Sequence, residues 1–167
     1  MGNTFVAYEN VFPMLAPVDI AGTAQATPYM DLKAAQDVML YVYVGGITTA
    51  SADQTAGPVI TIEAATGGAS ASNEVNVEFD YRLSAATGTN TWAAIASASA
   101  GLDLTVTGDG KMVAIHIDPS KVAEALADAR FVRAVITPGT GGATCLVSAW
   151  AAITPRYRMT TMVSAAT

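Results

Sequence analysis

Residues 75–83 alternate with a period of two: Val75, Val77, Phe79, Tyr81 and Leu83 against Asn76, Glu78, Asp80 and Arg82. Successive side chains on a strand point to opposite faces, so this pattern predicts a strand with one face in a core and one in water. Leu102, Leu104 and Val106 against Asp103, Thr105 and Thr107 repeat it. Over residues 111–118, Val113, Ile115 and Ile117 share one face, and Met112, Ala114 and His116 the other. Residues 38–44 are apolar on both faces, which suits a central strand covered on both sides. Further strands are predicted over 59–64, 92–95, 131–137 and 144–153. Val77, Phe79, Tyr81, Leu104, Ile115 and Val135 are the expected core.

Turn chemistry separates these segments. Gly45 and Gly46, Gly67 and Gly68, the run Thr87, Gly88, Thr89, Asn90, and the glycine-rich stretch 138–142 are all breakers. Gly108, Asp109 and Gly110 join two well-patterned strands and read as a tight hairpin. One short helix is predicted, capped by Asp118, with Pro119 at its first position and helix formers through Ala127. The expected fold is all-β: an antiparallel β-sandwich, jelly-roll-like, with one short helical insertion.

Two terminal stretches fall outside the alternation. Residues 1–30 hold Pro13, Pro17 and Pro28 among Phe5, Val6, Tyr8, Val11, Phe12, Met14 and Leu15. The prolines oppose a helix or central strand, and the apolar side chains oppose a solvated linker. An extended arm lying on its own or a partner's surface satisfies both. Residues 31–154 then form the sandwich and 155–167 a tail beginning Pro155, Arg156, Tyr157. Phe5, Tyr8, Phe12, Leu15, Arg156 and Tyr157 are the candidate partner-binding residues.

A chain of 167 residues suits one domain. Hydrophobic types reach 51 %, but 33 of those residues are alanine, so bulky side chains are scarcer than the figure implies. Fourteen acidic residues against eight basic give a net charge of -6. That leaves no basic stripe to displace counterions from nucleic acid. No apolar run approaches the roughly 18 residues needed to span a bilayer, and residues 1–5 do not open a secretory leader.

The inventory for catalysis is thin. His116 is the one histidine, set mid-strand, with no G-x-S-x-G or reactive-cysteine motif to accompany it. Cys145 sits in an apolar strand, as an inert small hydrophobe does. Glu78 and Asp80 lie about 6 to 7 Å apart along one strand, and Arg82 continues that face, so solvated charge is the simpler reading. The acidic loops are too sparse for calcium, and no helix follows Gly139 to cradle a phosphate. Trp92, near a loop edge, is a better candidate than Trp150 for stacking on a sugar, although packing explains both. No enzyme activity, metal or cofactor is expected.

Taken in order, the elements resemble small structural proteins of tailed bacteriophages, among them head decoration (cement) proteins. The resemblance rests on 78–83, on Thr91 and Trp92, on Phe131, Val132, Arg133 and Ala134, and on Arg156 and Tyr157, within residues 31–157. It implies a non-enzymatic virion protein on the capsid surface, made in the host cytoplasm. Its partners would be the major capsid protein and copies of itself. The alternatives are a carbohydrate-binding head-fibre or tail adhesion module, or a tail or neck ring subunit.

Overall fold

A computed structural model describes residues 10–48, 57–68, 73–104, 110–138 and 144–156. Their alternating apolar segments form twelve strands and one helix. The strands are β1 (Asn10–Asp19), β2 (Gln25–Ala26), β3 (Met30–Asp31), β4 (Ala35–Val44), β5 (Val59–Ala65), β6 (Val75–Asn76), β7 (Phe79–Leu83), β8 (Ala96–Ala98), β9 (Leu102–Asp103), β10 (Lys111–Ile117), β11 (Phe131–Thr137) and β12 (Leu146–Pro155). The helix α1 (Pro119–Ala125) lies between β10 and β11.

The strands make two antiparallel sheets. Sheet A has the order β1, β12, β4, β10, β7, β8, and sheet B the order β2, β11, β5, β6. In sheet B, β3 also pairs with β11, and β9 with β5. Four sets of ladders give the plan: β1 on β12, β2 and β3 on β11, β4 on β10, and β5 on β6. They are the rungs of one long hairpin whose midpoint lies between β5 and β6. Successive rungs fall in alternate sheets, so the hairpin wraps around a core instead of lying flat.

Period-two burial builds that core. From sheet A come Val38, Leu40, Val42, Val113, Ile115 and Phe79; from sheet B come Ile60, Ile62, Val132 and Ile136. The fold is therefore an all-β antiparallel sandwich with one short helix. The helix starts as expected: Asp118 accepts from the Ser120 N–H at 2.8 Å, and Pro119 opens the first turn.

Several expectations change. The arm assigned to residues 1–30 is absorbed from Asn10 onward: β1 pairs with β12 from Asn10 opposite Ile153 to Asp19 opposite Leu146. Its prolines are accommodated because β1 is an edge strand, and its register shifts between Pro13 and Leu15 and again before Val18. The tail boundary moves too, since Pro155 closes β12 and the Arg156 N–H donates to the Ala34 carbonyl at 2.8 Å.

Residues 108 and 109, the centre of the expected hairpin, lie outside the described residues, but the described strands on either side do not pair with each other. β9 pairs with β5 in sheet B, whereas both edges of β10 are taken by β4 and β7 in sheet A. The single strand expected over 75–83 divides into β6 in sheet B and β7 in sheet A, leaving Val75 exposed. Over the strand expected at 92–95 only an isolated bridge forms, Trp92 to Ser84, and the strand proper starts at Ala96; the Arg82 side chain donates to the Ala93 carbonyl at 3.0 Å. Val135 faces outward, since Val132, Ala134 and Ile136 are the buried side of β11.

Candidate docking face

The outer faces of the two sheets differ in chemistry. On sheet B, Arg133 reaches Glu63 at 2.9 Å and Glu74 at 2.5 Å, with its guanidinium 4.9 Å above the Tyr29 ring. The Tyr29 hydroxyl donates to Glu74. Charges satisfied in this way belong on a solvated surface.

The outer face of sheet A carries aromatic and apolar side chains. Alternation that buries Val38, Leu40 and Val42 turns Met39, Tyr41 and Tyr43 outward on β4. Register then places Trp150 and Ala114 on either side of Tyr41, Ala152 and His116 beside Met39, and Ser148 and Met112 beside Tyr43. The Tyr41 and Trp150 rings stack, 6.3 Å between centroids and 22° between planes. Tyr41, Tyr43, Met39, Met112 and Trp150 are half-buried by their neighbours in the sheet. Strands about 4.8 Å apart make the row from β1 to β7 about 19 Å wide. No strand among the described residues is stacked on this face.

Two hollows open beside it. One, of about 240 Å³, is lined by Met39, Ala114 and His116 together with Ile95, which is 67 % exposed. The other, of about 90 Å³, lies between Tyr43, Met112 and Trp92. Trp92 is thus part of the same aromatic surface, tied through an isolated bridge to Ser84.

Polar groups form the rim. His116 Nε2 lies 2.5 Å from Asp37 Oδ1, and Asp80 stands opposite His116 on β7. Asp80 accepts from the Ser97 hydroxyl at 2.5 Å, which, with the Lys121 ammonium, holds its carboxyl below the usual range. Glu78 and Asp80 are paired rather than simply solvated: Lys121 Nζ lies 3.1 Å from Glu78 and 3.7 Å from Asp80. Among the described residues no cluster of three His, Cys, Asp or Glu side chains is placed to hold a metal ion. Every buried side-chain polar atom there is hydrogen-bonded, so none is left aimed at a ligand. Cys145 is buried in the core, as its apolar setting predicts.

Of the six candidate partner residues, three fall among the described residues. Phe5, Tyr8 and Tyr157 lie outside the described residues. Phe12 and Leu15 stand opposite the buried Ala151 and Ala149 and pack against the chain's own core. Arg156 lies past the end of β12, where its Nε donates to the Ala35 carbonyl at 2.8 Å. Sequence reasoning missed the Tyr41 and Trp150 pair because it took residues 38–44 to be covered on both sides. The available signal was Ser148, Trp150 and Ala152 alternating with Val147, Ala149 and Ala151.

No protein-family model and no curated protein matches the chain. Among solved structures, a chain of "Structure of infectious bursal disease virus Gt strain" is similar over 93 % of this chain, at 13 % identity and a TM-score of 0.23. This chain spans 43 % of that chain's length. A likeness at that score carries no argument about fold or function.

Proposed function

We propose that this protein is a non-enzymatic virion component that binds and stabilises a phage capsid as a decoration or cement subunit, using the outer face of sheet A. The carrying observation is the aromatic and apolar surface of Met39, Tyr41, Tyr43, Met112 and Trp150, set opposite a second sheet whose outer face is ion-paired. An apolar face with a polar rim is the usual anatomy of a protein contact. The wrapped-hairpin strand order supports reading the sandwich as a jelly roll, an architecture that recurs in viral capsid and lectin domains.

The face is small. Its five large side chains are each half-buried, whereas a standard stable interface takes about 20 to 30 residues per partner. Such a contact gains strength by repetition over a lattice, where each copy stabilises only the assembled shell. The acidic balance keeps many copies soluble before they bind. Partners in this reading are the major capsid protein and further copies of the chain.

The test is purification of intact particles and measurement of the copy number of this protein. A stoichiometry matching a capsid lattice, lost in a Tyr41→Ser, Trp150→Ser double variant that still folds, supports the reading. Absence from particles, or unaltered incorporation of the variant, overturns it. One observation favours a second reading: Tyr41, Trp150 and Trp92 lie along one surface, as rings that stack on glycans do. Saturable binding of a soluble oligosaccharide, abolished by Trp150→Ser, would select that alternative.

A further inference from the structure

A different feature lies at the end of the sandwich, where the β3–β4 turn, α1 and the residue after β12 converge. Lys33, Arg130 and Arg156 line a cleft of about 270 Å³ there, over a floor that includes Leu32, Pro119 and Ala123. Three of the chain's eight basic side chains thus meet in one place, on a molecule carrying fourteen acidic ones. We propose that this cleft binds an acidic peptide segment of a partner protein, taking a carboxylate between its cations and an adjoining apolar side chain on its floor. The proposal does not depend on what covers sheet A.

Two of the three cations are already positioned. Arg130 Nε donates to Asp31 Oδ1 at 2.8 Å, and its terminal nitrogen donates to the second oxygen of the same carboxylate. Arg156 is held by its Nε on the Ala35 carbonyl and its backbone N–H on the Ala34 carbonyl, both at 2.8 Å. The Leu32 N–H donates to the Arg130 carbonyl at 2.8 Å, joining two walls. Side chains fixed before a ligand arrives lose less entropy on binding it.

Charge is left over. Three cations face two carboxylates: Asp31, bonded to Arg130, and the nearby Asp118, which the Ser120 N–H and hydroxyl keep ionised. The Lys33 ammonium acts on Asp31 through its charge alone, and among the described residues no hydrogen bond or ion pair holds it or the terminal nitrogens of Arg156. A guanidinium fork beside an ammonium matches a carboxylate, and the apolar floor distinguishes a peptide from a bare inorganic anion. On a chain of net charge -6, a cleft lined by three cations favours the approach of an acidic partner there.

The experiment titrates the isotope-labelled full-length chain with a synthetic peptide of alternating Glu and Leu, with its Gln and Leu counterpart, and with inorganic phosphate. The expected result is saturable chemical-shift change at Leu32, Ala123 and Arg130 with the Glu peptide alone. Affinity should fall roughly tenfold in Lys33→Glu, and again when salt shortens the screening length from about 30 Å to about 3 Å. Lys33 is an exposed turn residue, and a Lys33→Gln variant with an unchanged spectrum guards against misfolding. Equal binding of the Gln peptide, phosphate as tight as the Glu peptide, unaltered affinity in Lys33→Glu, or no shift at the cleft would each overturn the proposal.

Discussion

Phe79 is the largest of the fully buried side chains, 1 % exposed and 6.3 Å from the Tyr81 ring. Phe79→Ala should cost roughly 3 to 5 kcal/mol in denaturant unfolding, from lost transfer energy and the cavity left behind. Its burial was legible from sequence because period two survives within β7. Val135 was not, because in β11 both faces are apolar at that position and only pairing in the sheet selects the inner one. A second residue sets an alkaline limit. Burial and its bond to Glu74 push the Tyr29 phenol from 10.0 up to about 12. An unfolded chain loses this proton first, so the stability that neutral Tyr29 provides is complete below pH 10 and is lost as pH rises through about 12. The melting temperature should fall over that window, and Tyr29→Phe should flatten the fall. A slope identical in the variant would mean that Tyr29 is not the group responsible.

Among the elements, β1 was the hardest to foresee. Pro13 and Pro17 speak against a central strand, and nothing local indicates that the partner lies more than 130 residues away, with Asn10 opposite Ile153. Met14 is 5 % exposed, so Met14→Ala should cost about 2 to 3 kcal/mol. Deleting residues 2–15 should lower the melting temperature of the isolated protein sharply. The deletion removes Met14, Phe12 and Leu15 from the core and uncovers the ladder of β12 from Ala149 to Ile153. An unchanged melting curve would show that β1 contributes no packing. Strands β4, β5, β10 and β11 were legible because each is an unbroken run rich in β-branched and other apolar residues bounded by breakers. β6 and β7 were not, because one unbroken alternation passes from sheet B to sheet A without marking the crossing in residue type. The helix was legible at its start, where Asp118 and Pro119 carry a local signal, and less so at its end.

For the whole molecule, two sheets and a core could be anticipated from alternation and turns, while the docking face could not. Whether the second face of β4 is covered is a property of the assembled sandwich, and Tyr41 meets Trp150 only through pairing across 109 positions. That pairing has a consequence in time. β12 is threaded between β1 and β4, yet it follows every other described strand in the sequence. A nascent chain lacking it leaves β1 without its partner in sheet A and one edge of β4 open, with no Trp150 beside Tyr41. Ribosome-tethered chains ending at residue 144 should therefore remain sensitive to protease, and release of residues 146–155 should confer resistance in one step. Protection before β12 emerges would refute this. Synthesis itself then sets the timing: the aromatic outer surface of sheet A is incomplete until the last of the described strands has been translated.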